Sequence, residues 1–247
     1  MSSNANAVSQ FIQMLETFPP MSNVFNPWRD IDSVNDNSQE AAQQRRCNLH
    51  AYLTERQNRA RVLLVGEAPG FNGCKFSGIA MTSERILLGH HPKVAADCVF
   101  DGPKARTSVL TLKPLGMAEP TASIAWAMMH AAGFDSREFA IWNAFAFHPH
   151  RPEVALSNRA PTQSELDANQ PILQAYLALF PLAKVIAVGR VAQRTLHTLG
   201  IEATAVRHPA MGGANEFREQ MATLLTTHSL AKNQWHQIPA RQPCTLR

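Results

Sequence analysis

The chain lacks an apolar run long enough to cross a membrane. A bilayer span needs about 18 consecutive apolar residues, and no such run occurs among the 247 residues. The N-terminus also lacks a cationic stretch followed by an apolar one, so no secretory signal is expected. These absences predict a cytoplasmic protein without a membrane partner. A hydrophobic content of 45% is enough to form a core.

Cysteine is scarce, and its spacing does not predict a metal site. No two of the four cysteines form the CxxC pair that presents two thiolates to one metal. These cysteines are Cys47, Cys74, Cys98 and Cys244. Free thiols are expected rather than disulfides. The histidines His148, His150 and His208 would suggest zinc only beside an HxxxH helix or a CxxC pair, so no metal is predicted.

Signatures of nucleotide cofactors and of α/β hydrolases are missing too. The chain has no GxGxxG, no GxxxxGK[ST] and no GxSxG motif. No cofactor is therefore predicted, and a small-molecule hydrolase is disfavoured. The net charge of +4 and the isoelectric point of about 9.1 fit a polyanionic partner, although many proteins reach this balance by chance.

The central part of the sequence alternates between strand and helix patterns. The strands are predicted at residues 62–65, 139–145, 184–188 and 203–206. The helices between and after them are predicted at 120–132, 162–179, 190–199 and 216–228. This alternation predicts an α/β fold, a three-layer α/β/α sandwich with a central four-stranded parallel sheet.

The flanking segments define the predicted domain boundaries. Residues 61–228 form the main domain, and residues 1–60 a helical extension packed on its core. Residues 229–247 are a tail. Within the extension we predict frayed residues 1–7, helices at 7–18 and 38–58, and an extended wrap at 21–37. Within the main domain, residues 71–118 form a long irregular segment, and such segments usually have a function.

Polar residues follow the strands at the edge where ligands bind in parallel sheets. Gly66-Glu67-Ala68-Pro69-Gly70 follows the first strand, and Asn143 and His208 belong to the ends of the second and fourth. The Asn143 amide either pairs with a pyrimidine edge or caps the next turn. Phe76 either stacks on a base or belongs to the core. His208, set across a pocket from Glu67 and Asn143, is a candidate electrophile or acid.

In order, spacing and context, these motifs resemble the uracil-DNA glycosylase superfamily. The resemblance spans about residues 61–228 and rests on Gly66–Gly70, on Asn143 with Phe147-His148-Pro149, and on His208-Pro209-Ala210. The first motif and the segment 158–165 are similar to the family 4 type, which usually carries an iron–sulfur cluster. The cysteine pattern for that cluster is absent, so no cluster is expected.

The resemblance implies a monofunctional DNA glycosylase that extrudes a nucleotide and hydrolyses its N-glycosidic bond. Phe76 then stacks on the base, and Asn143 reads its pyrimidine edge. His208 stabilises negative charge on the base carbonyl. Glu67 positions water or supports the cationic sugar. The implied base pocket is completed by Gly66, Ala68 and Gly70.

The resemblance also implies how DNA is held. Met211 is the expected wedge in the minor groove, with Arg207 beside it. Gly212 and Gly213 permit close approach to phosphate, and the helix start at Thr121 and Ser123 offers a second phosphate contact. The partner is double- or single-stranded DNA, and the protein is expected to be a monomer.

Two departures from the superfamily pattern leave alternatives open. Ala68 stands where the best-known members have the Asp that orients water, so either Glu67 replaces it or the protein only binds modified or abasic DNA. Gly70 stands where uracil-selective members have a Tyr against the C5 position of the base, so a C5-modified pyrimidine is as compatible as uracil. Lys75 and Lys113 leave strand cleavage open. Repair and defence against foreign DNA predict the same motifs.

Overall fold

The structure, a computed structural model, describes residues 2–227, with side chains described for residues 6–225. The strands are β1 (Val24–Phe25), β2 (Val62–Gly66), β3 (Phe139–Asn143), β4 (His148–Pro149), β5 (Lys184–Val188) and β6 (Ala203–Val206). The helices are α1 (Ser2–Thr17), α2 (Ala41–Thr54), α3 (Cys74–Ser77), α4 (Glu84–Leu87), α5 (Pro120–Ala131), α6 (Gln163–Ala178), α7 (Arg190–Thr198) and α8 (Ala214–Thr227).

Four strands form a parallel sheet in the order β3-β2-β5-β6, which confirms the predicted fold class. β2 and β3 are buried along their whole length, as expected for the central strands of a sheet that helices cover on both faces, whereas β6 at the edge of the sheet is mostly exposed. The predicted bounds of β5 and β6 are correct. β3 ends at Asn143, two residues earlier than predicted, although the amides of Ala144 and Phe145 still bond to the carbonyls of Gly66 and Glu67.

The N-terminal helix is longer than predicted. α1 begins at Ser2, so the prediction that residues 1–7 are frayed is wrong for the backbone of residues 2–7. Neither Gly nor Pro interrupts these residues, and the stripe containing Val8, Phe11 and Leu15 is buried. α8 also begins earlier than predicted, at Ala214, and His228 lies outside the described residues, as does the tail at 229–247.

The N-terminal segment shares its core with the sheet. The ring of Phe11 contacts that of Trp142 at 5.3 Å between centroids, and Trp28 stacks on the same indole at 5.5 Å. Trp28 lies in the segment predicted to be an extended wrap, which contains β1 paired antiparallel with β4. Residues before 61 therefore help to hold the segment that follows β3.

The long segment at 71–118 is more ordered than predicted. It contains α3, α4 and a short 3-10 turn at Ala96–Cys98. Arg56 is fully buried and donates hydrogen bonds to five carbonyls, so that it ties this segment to the sheet. Those carbonyls belong to Tyr52, Cys98, Val99, Ser136 and Phe139. None of the described helices is both long and apolar enough to cross a bilayer.

Candidate active site

The ends of β2 and β3 bring two predicted site residues into contact. Gly66 and Asn143 are register partners, and a methyl group added at Gly66 would come within 2.8 Å of Asn143 Oδ1. Glycine therefore makes room for the amide. Asn143 is 2% exposed, and its side-chain amide makes no hydrogen bond within the part of the chain that the structure describes. A buried amide without partners is costly, and a ligand could complete its bonding.

The end of β6 presents His208 in one defined tautomer. Its Nδ1 accepts the backbone N–H of Ala210 at 3.1 Å, so the neutral ring carries its proton on Nε2. Burial lowers the pKa of His208, and the neighbouring Arg207 lowers it further. A neutral imidazole that donates from Nε2 is suited to stabilise a developing oxyanion.

The sheet order sets the distance between these groups. β2 and β6 are two strands apart because β5 lies between them. At about 4.8 Å per strand, the end of β6 lies about 10 Å from that of β2 and about 14 Å from that of β3, a gap that a pyrimidine and two side chains can fill. The structure thus places Gly66, Asn143 and His208 along one edge of the sheet, as the sequence predicts.

Glu67 lies at the same edge. Burial raises the pKa of its carboxyl, while the positive charge of Arg194 opposes this shift. Its main-chain carbonyl accepts the amide of Phe145 at 2.9 Å, which fixes the backbone. Ala68 next to it is half-buried and supplies no carboxylate. Glu67 is therefore the carboxylate that this strand end provides.

Phe76 lies in α3 and is completely buried. It stands apart from the main apolar cluster around the sheet. Both faces of its ring are covered, so a base can reach it only if the covering groups move. The sulfur of Met81, which the sequence did not single out, lies 3.1 Å from where a Gly66 methyl would stand. Met81 also has a left-handed φ of 44°, an uncommon conformation for this residue type.

The loop after β6 folds on itself and exposes one apolar side chain. Met211 is 97% exposed and has a φ of 52°. Gly213 is buried, its N–H donates to Ala210, and any side chain there would overlap with the His208 carbonyl. The amide expected to approach phosphate is thus already bonded, and only Gly212 has open space around it. Arg207 is exposed, 3.8 Å from Glu216.

The start of α5 lies against the loop that follows β2. Glu119 precedes Pro120, the first residue of α5, and its carboxyl oxygens lie where side chains at Gly70 and Gly73 would stand or touch. Ser123 is less available than predicted, because its hydroxyl donates to the Glu119 carbonyl and contacts the His91 ring at 2.9 Å. Thr121 has no side-chain hydrogen bond within the described residues.

The other candidate histidine and lysine residues serve the fold. His148 is fully buried, its Nδ1 lies 2.8 Å from the Pro69 carbonyl, and burial lowers its pKa to about 4. It anchors the loop after β2 as a neutral ring. Lys75 is buried and paired with Asp32 at 2.9 Å, so it offers no free amine. Lys113 is exposed, and its carbonyl accepts a hydrogen bond from Arg106.

The described cysteines do not fit an iron–sulfur cluster. Cys74 and Cys98 are buried and Cys47 is exposed, each as a free thiol. Burial raises the pKa of the Cys74 thiol, and the nearby Glu119 adds to the rise, which is the reverse of a thiolate ligand. Across residues 2–227 no three His, Cys, Asp or Glu side chains gather as a metal site would require.

Sequence reasoning missed three neighbours of the site: Met81, Glu119 and Arg194. Met81 and Arg194 carried no distinguishing local pattern. Glu119 did carry one, since an acidic residue before a helix-starting proline lies at the positive end of the helix dipole. Its contact with Gly70 and Gly73, nearly 50 residues earlier in the sequence, could come only from the fold.

This geometry defines a protein of the uracil-DNA glycosylase type. The uracil-DNA glycosylase superfamily model matches residues 54–239, and the chain belongs to this superfamily. It is therefore a DNA glycosylase, a hydrolase of N-glycosyl bonds that acts on DNA. The reaction of such an enzyme is the first step of base excision repair.

The fold is shared with a solved structure of low sequence identity. The crystal structure of wild-type SMUG2 from Pedobacter heparinus matches with a TM-score of 0.59 and 16% identity, over 92% of this chain and 97% of that chain. At this identity the likeness shows the fold alone. No curated protein matches the sequence.

Proposed function

We propose that the protein flips a uracil or a C5-modified pyrimidine out of DNA and hydrolyses its N-glycosidic bond, leaving an abasic site. The observation that carries this proposal is the buried, unpartnered amide of Asn143 above Gly66. Its acceptor oxygen and donor nitrogen match the N3–H and adjacent carbonyl of a pyrimidine. Only an extruded base can bring that edge to a buried group.

The chemical step uses three side chains. The N1–C1′ bond breaks, and its electron pair goes to the base as charge collects on the O2 carbonyl. His208 donates from Nε2 to that oxygen. A water oxygen bonds to C1′, and its proton passes to the Glu67 carboxylate, whose raised pKa makes it a stronger base. Phe76 stacks on the base after the groups that cover it have moved.

The surface around His208 fits DNA. Met211 is exposed at the tip of its loop, where it can enter the minor groove as a wedge. Arg190 and Arg207 line a cleft of about 520 Å³ beside His208, and exposed arginines favour phosphate contacts. Thr121 and Gly212 are further proposed phosphate contacts.

The protein acts as a monomer in the cytoplasm. It does not cleave the DNA strand, because Lys75 is paired with Asp32 and offers no free amine as a nucleophile.

The pocket admits a substituent at C5 of the pyrimidine. Gly70 has no side chain, and a methyl group in its place would touch its neighbours only at 3.4 Å or more. The loop therefore carries at Gly70 no side chain that would exclude a substituent, whereas a large residue there would. One pocket methylene is worth about 1–3 kcal/mol, enough to change base preference strongly.

Single-turnover assays on duplexes carrying one uracil, thymine or 5-hydroxymethyluracil test this function. The wild-type protein should release at least one of these bases, and Asn143→Ala should reduce kcat/KM by about 100-fold or more. Asn215→Ala, an exposed asparagine in α8, is the matched control. Tight binding of modified or abasic DNA without base release would favour the non-catalytic alternative.

A further inference from the structure

Helix α6 carries a buried asparagine, Asn169, in its interior. The residue is 0% exposed, although asparagine favours helix caps and turns over helix interiors. A buried amide also costs free energy unless its donors and its acceptor find partners. What the side chain binds must therefore explain why an asparagine stands at this position.

The amide of Asn169 binds the segment that directly follows β3. Its Nδ2 donates to the Ala144 carbonyl at 2.7 Å, and its Oδ1 accepts the backbone N–H of Ala146 at 3.1 Å. Both bonds are buried, and hydrogen bonds are electrostatically stronger in such an environment than in water. One side chain thus attaches the segment at 144–146 to α6.

The same segment is bonded to the loop that follows β2. The N–H of Ala144 donates to the Gly66 carbonyl at 2.8 Å, and the N–H of Phe145 donates to the Glu67 carbonyl at 2.9 Å. Hydrogen bonds from the helix and from the loop therefore converge on residues 144–146. The position of this short segment is defined by both elements at once.

The helix also holds the residue on the other side of Asn143. Tyr176 lies about two helical turns after Asn169, so both residues are on the same face of α6. The ring of Tyr176 stacks on that of Trp142, with 4.7 Å between centroids and 12° between planes. Since Trp142 precedes Asn143 and Ala144 follows it, one face of α6 fixes both neighbours of Asn143.

Asn143 depends on this support because its own amide is not held by hydrogen bonds. It makes none within the described residues, and its recorded close contact is the approach of Oδ1 to the Cβ position of Gly66. The direction of the amide is therefore set by the position of its backbone. A misplacement of about 1 Å in an active site can cost about 100-fold in rate, so bonds to the adjacent residue bear directly on the reaction.

We propose that Asn169 is a positioning residue that aligns the Asn143 amide with the edge of the extruded pyrimidine, through its bonds to Ala144 and Ala146. The inference rests on the proposed role of Asn143 in reading the base. Asn169 does not contact the base itself. It acts through the backbone that carries Asn143.

A double-mutant cycle separates positioning from a merely structural role. It uses the base that the wild-type protein releases fastest among uracil, thymine and 5-hydroxymethyluracil. Asn169→Ala should lower kcat/KM by about tenfold or more, since the Asn143 amide loses its alignment. In the Asn143→Ala background the same change should lower kcat/KM by no more than about threefold, because no amide is left to align. Single-turnover kinetics of the four proteins measures both losses.

Leu173→Ala is the matched control, because Leu173 is a completely buried residue of the same helix whose side chain cannot form hydrogen bonds. It should lower the free energy of unfolding in urea, as Asn169→Ala does, and keep kcat/KM within about twofold of the wild-type value. Asn169→Asp serves in case alanine impairs folding. It keeps the shape and the acceptor for Ala146, but an ionised carboxylate has no donor for Ala144. Its effect in the cycle should have the same pattern.

The proposed function and this inference can fail separately. If the wild-type protein releases none of the three bases, the proposed function fails and the inference fails with it. If a base is released, but the Asn169 variants keep the wild-type kcat/KM or lose the same factor in both backgrounds, only the inference is overturned. An equal loss of kcat/KM in Leu173→Ala would also overturn it. A loss that requires the Asn143 amide, and that Leu173→Ala does not reproduce, supports it.

Discussion

The two loops at the carboxyl edge of the sheet differ in how their polar groups are satisfied and in what they expose. The first loop, residues 66–73, lies beside the amide of Asn143, a residue that is 2% exposed, and beside Glu119 Oε2, which is buried without a partner in the described residues. The second loop, residues 208–213, satisfies its own polar groups through the bonds from Ala210 to His208 and from Gly213 to Ala210. It exposes an apolar side chain instead, Met211.

This difference separates recognition of the base from recognition of the duplex. Unsatisfied buried groups destabilise the free protein, and a ligand with matching donors and acceptors removes that cost. An exposed apolar tip on a rigid loop has no internal purpose but fits a base step in DNA. The comparison predicts that changes in the first loop alter which base is released, whereas changes in the second alter binding and transition-state stabilisation.

The largest expected effect separates the two histidines. His208→Ala should lower kcat/KM by about 100- to 1,000-fold with little change in stability, because it removes an oxyanion donor. His148→Ala should instead lower the free energy of unfolding by about 2–3 kcal/mol, since it removes a buried anchor of Pro69. Single-turnover kinetics and urea unfolding measure the two effects. If His208→Ala and His148→Ala changed kcat/KM and the free energy of unfolding to the same extent, the assignment of His208 to catalysis and His148 to the fold would be contradicted.

Glu67→Gln should lower kcat/KM by about 10- to 100-fold. The raised pKa of Glu67 means that the wild-type rate increases with pH as this carboxyl loses its proton. This acidic limb should begin above the usual range for a glutamate, and the variant should lose it. A pH profile of kcat/KM from pH 4.5 to 8 tests this. An unchanged acidic limb in Glu67→Gln would show that another group titrates.

Glycine substitutions should distinguish the loops by stability. Gly213→Ala places a methyl group against the His208 carbonyl, so we expect a loss of about 1–3 kcal/mol. Gly70→Ala meets its neighbours at 3.4 Å or more and should cost much less. It should, however, reduce release of 5-hydroxymethyluracil relative to uracil. Urea unfolding and the base panel measure both. A Gly70→Ala protein that is destabilised as strongly as Gly213→Ala would weaken the comparison.

The stability of the protein should depend on Glu119 between pH 5 and pH 8. Its pKa is about 7 in the folded protein and about 4.5 when unfolded, so the folded state binds the proton more tightly. This contribution is present below pH 4.5 and is lost as the pH rises through 7. Glu119→Gln should therefore lessen the decline in unfolding free energy from pH 5 to pH 8 by about 1–3 kcal/mol. Parallel curves for the two proteins would exclude a raised pKa.

Met211→Ala should have the smallest effect. We expect DNA affinity to fall by about 1 kcal/mol, or roughly fivefold, because the wedge loses most of its apolar surface. Stability should not change, since the side chain is 97% exposed. Leu182→Ala is the matched control, with a side chain that is 90% exposed and precedes β5. Fluorescence anisotropy with a labelled duplex measures both. Equal losses would show a general apolar effect rather than a wedge.

Local patterns predicted the elements that repeat a simple rule. The predicted bounds of β5 and β6 are correct because each is a short run of residues that favour strands, ending at a glycine or a polar residue, although β6 is mostly exposed. The prediction for α1 was too short because flanking polar residues without Gly or Pro continue a helix once its apolar stripe is packed. The sequence predicts only an irregular segment at 71–118, since the order of that segment depends on Arg56 and the carbonyls it binds.

The sequence by itself determined the class of protein. The motifs at Gly66–Gly70, Asn143 and His208 follow strands, and the carboxyl ends of parallel strands meet at one edge, so their convergence followed from topology alone. Only the tertiary structure decided which groups lack partners. Whether the Asn143 amide and the Glu119 carboxyl form hydrogen bonds depends on neighbours that are distant in sequence. The extent of their burial then sets how much free energy an unsatisfied group costs. No local pattern encodes that placement, because it depends on how segments that are distant in sequence pack against one another.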